Sequence, residues 1–96
     1  MLLFLIFPLS GCVSKFTIVE IIDRTKSENL SCVQVLQKFY EDENNEYYFG
    51  CEKSDLIIVK YKGGSSESVS DAFKNNHIHI SDLDLYNISY YKEPKN

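Results

Sequence analysis

The fold is decided by two stretches near the middle of the chain, Tyr47-Tyr48-Phe49-Gly50-Cys51-Glu52 and Leu56-Ile57-Ile58-Val59-Lys60-Tyr61-Lys62. Both stretches are rich in aromatic and β-branched residues, which favour strands. The polar residues between them are few enough to join two neighbouring strands. We therefore expect residues 47–62 to form an antiparallel hairpin. Gly63-Gly64 then predicts a tight turn, and residues 65–67 would add a few strand residues after it.

Upstream of this hairpin, the sequence predicts a strand and then a helix. Residues 16–22 are rich in β-branched side chains and favour a strand. Ser31 and Gln34 have the spacing of a capping box, in which two side chains bond to each other's backbone amides. The apolar residues that follow at helical spacing are Cys32, Val35, Leu36 and Phe39. They predict a helix over residues 32–40 with Cys32 on its core side.

Downstream of the glycine turn, a second capping box predicts a short helix. Ser68 and Asp71 have the required spacing. The residues expected to face the core are Val69, Ala72 and Phe73. Asn75-Asn76 is a suitable end for this helix, because asparagine tolerates the left-handed backbone that often follows a helix.

A third capping box predicts one more short helix. Ser81 and Asp84 form the box, and Ile80 with Leu85 would pack together across the start of the helix. The helix should stop near Asn87, and residues 88–92 should form the last strand. The tail, residues 94–96, is expected to fray.

These elements predict one α+β domain over residues 16–93. The expected order is β-α-β-β-α-α-β. A helix between the first two strands would allow them to lie parallel, whereas residues 47–62 would be antiparallel. We therefore expect a small mixed sheet with the helices on one face.

The N-terminal segment has the character of an export leader. Residues 1–9 are an apolar run too short to span a bilayer but long enough for a signal peptide. The run leads into Leu9-Ser10-Gly11-Cys12, which resembles the bacterial lipobox. That resemblance implies that residues 1–11 are removed, that Cys12 carries a diacylglycerol thioether and acyl chains such as palmitate, and that residues 12–15 form a short lipidated tether. The protein would then be anchored to the cell membrane or envelope on its extracytoplasmic side.

One departure leaves other interpretations of this segment open. The Lys or Arg that usually precedes the apolar run of a signal peptide is missing here, so the true start could lie upstream of Met1. Residues 2–9 could instead form a buried strand. An ordinary secretory leader is the third interpretation. On a eukaryotic secretory path, two sequons could then be glycosylated: Asn29-Leu30-Ser31 and Asn87-Ile88-Ser89.

The cysteine count suits an exported domain. The chain has 3 Cys, so lipidation of Cys12 would leave Cys32 and Cys51. Two cysteines in a small exported domain predict a disulfide. The bond would close a loop of about 20 residues and stabilise the domain by about 3 kcal/mol. The alternative is two buried free thiols.

Charge and motif content exclude several classes of function. The net charge is -4, and the lysines and arginine are scattered, so nucleic acid is not an expected partner. The sequence contains no recognisable triad, dyad, phosphate loop or cofactor motif, so we expect neither an enzyme nor a bound cofactor. An acidic surface suits either solubility or a basic partner.

Two histidines are the weak candidates for metal ligands. His77 and His79 would share a face if the segment were a strand, with Asp82 and Asp84 close by. The alternative is that both histidines face water while Ile78 and Ile80 face the core.

Aromatic residues are the one compositional excess, with 7 Tyr, 6 Phe and no Trp in the chain. Two adjacent pairs, Tyr47-Tyr48 and Tyr90-Tyr91, would each place one ring on either face of a strand. Outward tyrosines provide large contact area at a low entropic cost and predict an interaction surface. They could also simply cover a thin sheet.

One further resemblance suggests a sharper role. Tyr48-Phe49-Gly50-Cys51 followed by Ile57-Ile58-Val59-Lys60-Tyr61 is similar to the opening of small periplasmic lysozyme-inhibitor lipoproteins. Their later glycine, alanine, arginine and tyrosine signature is missing here. The anchor, the short tether, the disulfide, the acidic surface and the tyrosines together predict a non-catalytic envelope lipoprotein that binds a protein. An inhibitor or immunity module is the sharper form of this prediction, and no inhibitory residue is carried over from the resemblance. The alternative is a small metal- or ligand-binding lipoprotein that uses His77 and His79.

Overall fold

A computed structural model describes residues 15–27 and 35–96 of the chain. The described residues form two small antiparallel sheets. The first sheet contains β1 (Ile18–Asp23), β4 (Ile57–Tyr61) and β5 (Ser66–Ser68), in the order β1-β4-β5. The second contains β2 (Leu36–Glu41), β3 (Asn45–Gly50) and β6 (Tyr91–Pro94), in the order β2-β3-β6. The helices are α1 (Arg24–Ser27), α2 (Val69–Lys74) and α3 (Ile80–Leu85), with a 3-10 turn at Lys53–Asp55.

The predicted α+β fold with a mixed sheet is wrong: the structure is mainly β, and its order is not β-α-β-β-α-α-β. Residues 47–62 do not form a hairpin, because β3 and β4 lie in different sheets. The chain changes sheet between them. Cys51 takes a left-handed backbone with φ of 61°, and the 3-10 turn at Lys53–Asp55 follows. Both features turn the chain out of the second sheet and into the first. In a hairpin, the chain would instead turn back within one sheet.

The predicted helix over residues 32–40 is also wrong where the structure describes it. Leu36–Glu41 is the strand β2, which pairs antiparallel with β3. Val35 and Leu36, expected on the core side, have relative solvent exposures of 53% and 43%. Pairing with β3 outweighs the helical spacing, because tertiary contacts routinely override local propensity. The capping box Ser31/Gln34 and Cys32 lie outside the described residues.

The segment from the glycine turn through α2 follows the sequence prediction. Gly63 and Gly64 have φ of 97° and 94° and connect β4 to β5. Such angles strain any residue with a side chain, which explains the paired glycines. Ser68 caps α2 by accepting a hydrogen bond from the amide of Asp71 at 3.2 Å. The three residues predicted to face the core, Val69, Ala72 and Phe73, are buried.

In the last third of the chain, the predicted helix and strand are present, but they begin and end at other residues than expected. His79, not Ser81, is the N-cap of α3, and its amide donates to Asp82 Oδ2 at 2.7 Å. Leu83 is the buried residue of this helix, whereas Leu85 is 73% exposed. The last strand is an edge strand that begins only at Tyr91 and runs to Pro94. The strand thus extends into the tail that was expected to fray, and the amide of Lys95 donates to the carbonyl of Asn44 at 2.8 Å.

The core lies between the two sheets, where α2 contacts β2, β4 and β5. Its centre is aromatic. The Phe39 ring from β2 stacks on the Phe49 ring from β3, with ring centroids 3.8 Å apart and an interplanar angle of 12°. Phe73 from α2 meets the same Phe39 ring at 5.3 Å. Ile57 and Val59 of the first sheet are fully buried in the same cluster.

We expect Phe49→Ala to lower the free energy of unfolding by about 3–5 kcal/mol, because it removes a fully buried ring and leaves a cavity. Urea unfolding followed by circular dichroism would measure the change. Leu85→Ala is the matched control. Its side chain is exposed, so its effect should stay within about 0.5 kcal/mol. Equal effects of the two substitutions would contradict the described core.

Candidate functional site

The two tyrosine pairs bring one tyrosine each to the same sheet face. Tyr48 alternates with the buried Tyr47 and Phe49, so it points away from the core. Tyr91 is its direct partner across the pairing of β3 with β6. Tyr91 has a relative solvent exposure of 49%, and Tyr48 is half-buried. The outer face of the second sheet therefore carries two neighbouring tyrosines.

The other member of each pair is structural. Tyr47 is buried, and its hydroxyl donates to Asp42 Oδ2 at 2.8 Å. Tyr90 is half-buried, and its hydroxyl donates to Asp84 Oδ1 at 2.9 Å. Burial, followed by this hydrogen bond, raises the pKa of Tyr90 to about 12. The two rings approach each other at 5.9 Å on the core side of the sheet. Tyr47 and Tyr90 thus lie on the core side of the sheet, opposite the outward tyrosines.

Charged residues surround the outward tyrosines. Lys38 is the partner of Tyr48 across β2 and β3, and its Nζ lies 2.8 Å from Glu41 and 3.4 Å from Glu46. The Tyr48 hydroxyl donates to Glu46 Oε1 at 3.0 Å, and this bond, more than burial, raises the pKa of Tyr48. Glu46 faces Glu93 across β3 and β6. These exposed contacts add little stability, but they keep the Tyr48 hydroxyl protonated and fixed in position.

An apolar side chain borders the same face. Leu36 lies directly opposite Gly50 in the pairing of β2 with β3. Gly50 contributes no side chain, and a Cβ built there would contact nothing within 4 Å. We call this surface the tyrosine face, and it consists of Leu36, Lys38, Glu46, Tyr48, Tyr91 and Glu93. It combines two aromatic rings and one aliphatic side chain with a charged border.

The acidic turn between β2 and β3, which contains Asp42 and Glu43, is held by hydrogen bonds among its own residues. Asp42 Oδ1 accepts from the amides of Asn44 and Asn45, both at 2.8 Å. These bonds and the one from Tyr47 hold the pKa of Asp42 below its usual value. Glu41 contacts Lys38 and Lys95, and hydrogen bonds from these two lysines lower the pKa of Glu41 to about 2. The turn therefore closes the hairpin of β2 and β3.

A second cluster forms around His77. Its Nδ1 lies 2.5 Å from Glu67 Oε2, and the Tyr61 hydroxyl donates to the same oxygen at 2.5 Å. Because a carboxylate only accepts, the contact with His77 places a proton on Nδ1. The Phe16 ring stacks on the imidazole, with centroids 3.6 Å apart and an interplanar angle of 15°. We call these four residues the Phe16 clasp, and it ties the start of the described chain to the body of the domain.

The two histidines do not act as a pair. His77 belongs to the Phe16 clasp, whereas His79 is exposed and caps α3. Asp82 accepts from the His79 amide and Asp84 accepts from Tyr90, so each carboxylate has a structural partner. Within residues 15–27 and 35–96, no three His, Cys, Asp or Glu side chains lie together in a way that could hold a metal ion.

Cys51 is disulfide-bonded. The other two cysteines, Cys12 and Cys32, lie outside the described residues, so the pair Cys32 and Cys51 stays a prediction. Among the described residues, Leu36 forms an isolated bridge with Cys51.

Sequence reasoning missed the Phe16 clasp. Its members lie far apart in sequence, at positions 16, 61, 67 and 77, and no spacing rule connects them. The pairing of β1 with β4 and of β4 with β5 brings Phe16, Tyr61 and Glu67 together. His77 joins them from the end of α2, where its amide donates to the Ala72 carbonyl at 2.8 Å. A half-buried histidine beside an acidic residue is not recognisable before that topology is known.

Comparisons with known proteins add no family to this geometry. Neither the protein-family models, nor the curated proteins, nor the solved structures contain a match to the chain. In the described part of the chain, no helix has the length and hydropathy needed to cross a bilayer. The function must therefore be argued from the residues themselves.

The Phe16 clasp predicts a loss of stability in acid. Burial raises the pKa of Glu67, but the hydrogen bonds from Tyr61 and His77 outweigh it and hold that pKa below 4.5 in the folded protein. A carboxyl group whose folded pKa is lowered stabilises the protein above its unfolded pKa and stops doing so as the pH falls. We expect Glu67→Gln to cost about 1–2 kcal/mol at pH 7. The difference from the parent protein should shrink as the pH falls through and below 4.5, the ordinary pKa of a glutamate carboxyl.

Urea unfolding at a series of pH values would measure this dependence. Glu43→Gln, on the exposed acidic turn, controls for the loss of one negative charge. A constant difference between Glu67→Gln and the parent protein across that pH range would contradict the role given to Glu67.

Proposed function

We propose that this chain is a non-catalytic cell-envelope lipoprotein whose domain binds a protein partner through the tyrosine face. The observation that carries the proposal is the pairing of Tyr48 with Tyr91 on a sheet face that points away from the core. Tyrosine is enriched at protein interfaces because it offers a large ring and a polar hydroxyl with little side-chain entropy to lose. A charged border around apolar residues is also typical of such interfaces.

The lipid anchor is the second part of the proposal, and it rests on the lipobox resemblance at Cys12. Palmitate or a similar acyl chain on that residue would hold the protein at the membrane, since two or more acyl chains anchor stably. The disulfide at Cys51 supports an exported location, because disulfides persist outside the reducing cytoplasm.

The charge of the chain favours a basic partner. The net charge is -4, and Glu46 and Glu93 lie side by side on the tyrosine face. Opposite potentials speed up association and select among partners. A basic wall hydrolase or a basic toxin would fit, which makes an inhibitor or immunity protein the sharper form of the proposal.

The metal-binding alternative has less support from the geometry. His77 already contacts Glu67 and Phe16, and His79 caps a helix. Binding through both histidines would require the Phe16 clasp to open. We therefore do not propose it as a second function.

Intact mass of the protein extracted from its native envelope tests the anchor. We expect the mass of residues 12–96 plus lipid, lowered by two hydrogens for one disulfide. The mass of the full, unmodified chain would contradict the lipoprotein proposal. Alkylation under denaturing conditions, followed by peptide mapping, would identify the partner of Cys51.

Photo-crosslinking in the native envelope tests the tyrosine face. A photoreactive residue at position 91 should capture a protein that the same residue at position 85 does not. Leu85 is a suitable reference because it is even more exposed than Tyr91. Capture at both positions, or at neither, would contradict the proposal.

Affinity for the captured protein completes that test. We expect Tyr48→Ala and Tyr91→Ala each to weaken binding about tenfold, as for tyrosines at the centre of an interface. Leu85→Ala should leave the affinity unchanged. Unchanged binding by both tyrosine variants would place the contact elsewhere on the domain.

A further inference from the structure

We infer that one end of the domain, formed by Lys15, Phe16, Lys62, Gly63 and Gly64, lies against a membrane surface of anionic lipid headgroups. We call this the basic end. The inference rests on the lipid anchor proposed above and adds an orientation to it. It follows from how the chain enters the domain, from the charges at that entry point, and from the charge of the rest of the molecule.

The entry point lies close to the anchor. Phe16 follows Cys12 by four residues, so its Cα is within about 14 Å of the lipid-bearing residue even in a fully extended chain. A tether this short keeps the entry point close to the membrane. Whatever surrounds Phe16 must stay near the headgroups.

The Phe16 clasp fixes this entry point to the domain. Phe16 stacks on His77 at 3.6 Å and meets the Tyr61 ring edge-on at 5.4 Å. The carbonyl of the next residue, Thr17, accepts from the amide of Lys62 at 2.8 Å. The start of the described chain is therefore held against β4 and the turn that follows it. Holding Phe16 fixes the point on the domain from which the chain leads to the anchor.

The side chains at this end are basic. Lys15 places its Nζ 5.4 Å from the centroid of the Phe16 ring, and Lys62 is exposed beside Thr17. Among the described residues, neither lysine lies within ion-pair distance of a carboxylate. Glu67 of the Phe16 clasp keeps its negative charge, but its side chain is only 18% exposed and accepts from Tyr61 and His77.

The turn beyond Lys62 has a shape that allows close approach. Gly63 and Gly64 are exposed, and a Cβ built on either would meet nothing within 4 Å. The turn therefore projects from the sheet without side chains of its own. A flat surface could approach its backbone and bring both lysines to the headgroups.

The charge of the whole chain favours the basic end as the part of the domain that contacts an anionic membrane. With a net charge of -4, the domain as a whole is repelled by an anionic surface, while its basic end is attracted. A lysine at such a surface contributes about fivefold to the binding constant. The tyrosine face belongs to the other sheet and shares no residue with the basic end.

Lysine acylation in vesicles would test the orientation. The protein is extracted with its lipid, its mass is measured, and it is reconstituted into vesicles of phosphatidylglycerol with phosphatidylcholine or of phosphatidylcholine alone. The protein is then exposed briefly to an amine-reactive reagent, and peptide mass spectrometry measures how far each lysine is acylated. We expect acylation of Lys15 and Lys62 to slow at least fivefold in the anionic vesicles alone and to recover in 1 M salt. Lys26 and Lys92, both exposed, are the internal controls.

Two double variants that each remove two positive charges would test whether Lys15 and Lys62 cause the contact with the anionic surface. Hydrogen exchange of the segment 62–66 should slow on anionic vesicles for the parent protein and for Lys26→Gln/Lys92→Gln. It should not slow for Lys15→Gln/Lys62→Gln.

Equal acylation in both kinds of vesicle would overturn the inference, as would equal protection of all four lysines. A mass without lipid would overturn the anchor itself and this orientation with it. A lipidated protein with unprotected lysines would overturn the orientation alone and leave the proposed function standing.

Discussion

The stack of Phe39 on Phe49 is the contact on which the rest of the structure depends. It joins β2 to β3 across the second sheet, and Phe73 of α2 packs against it from the direction of the first sheet. A small three-stranded sheet needs an apolar face that packs against another element to be stable. The aromatic centre gives them one shared core, and both the tyrosine face and the Phe16 clasp are held in position by it.

Features set by neighbouring residues could be predicted from the sequence. The turn at Gly63 and Gly64, the Ser68 cap and the buried face of α2 all follow from spacings of a few residues. Features set by distant contacts could not. Residues 36–40 carry part of a helical apolar pattern, yet they form a strand because β3 is available to pair with them. The prediction of a hairpin over residues 47–62 was wrong for the same reason. β3 pairs with β2 and β6, whereas β4 pairs with β1 and β5.

The candidate site shows the same division. Alternation along a strand predicted that Tyr47-Tyr48 would place one ring on each face. That Tyr48 lies beside Tyr91 depends on the register between β3 and β6, which no local pattern specifies. The partners of His77 depend on the order of the first sheet. Its proximity in sequence to His79 suggested a metal pair, but the fold uses the two residues for different structural purposes.

The last strand also bears on how copies of this protein would behave side by side. Small sheets have open edges, and a row of unpaired amides can recruit a strand from a neighbouring molecule. β6 is such an edge, but all four of its residues are exposed, and it carries Lys92 and Glu93 and ends at Pro94, which has no amide hydrogen to donate. A high local concentration raises the risk of edge-to-edge polymerisation. At this edge, the proline and the two charges oppose it while leaving the tyrosine beside them uncovered.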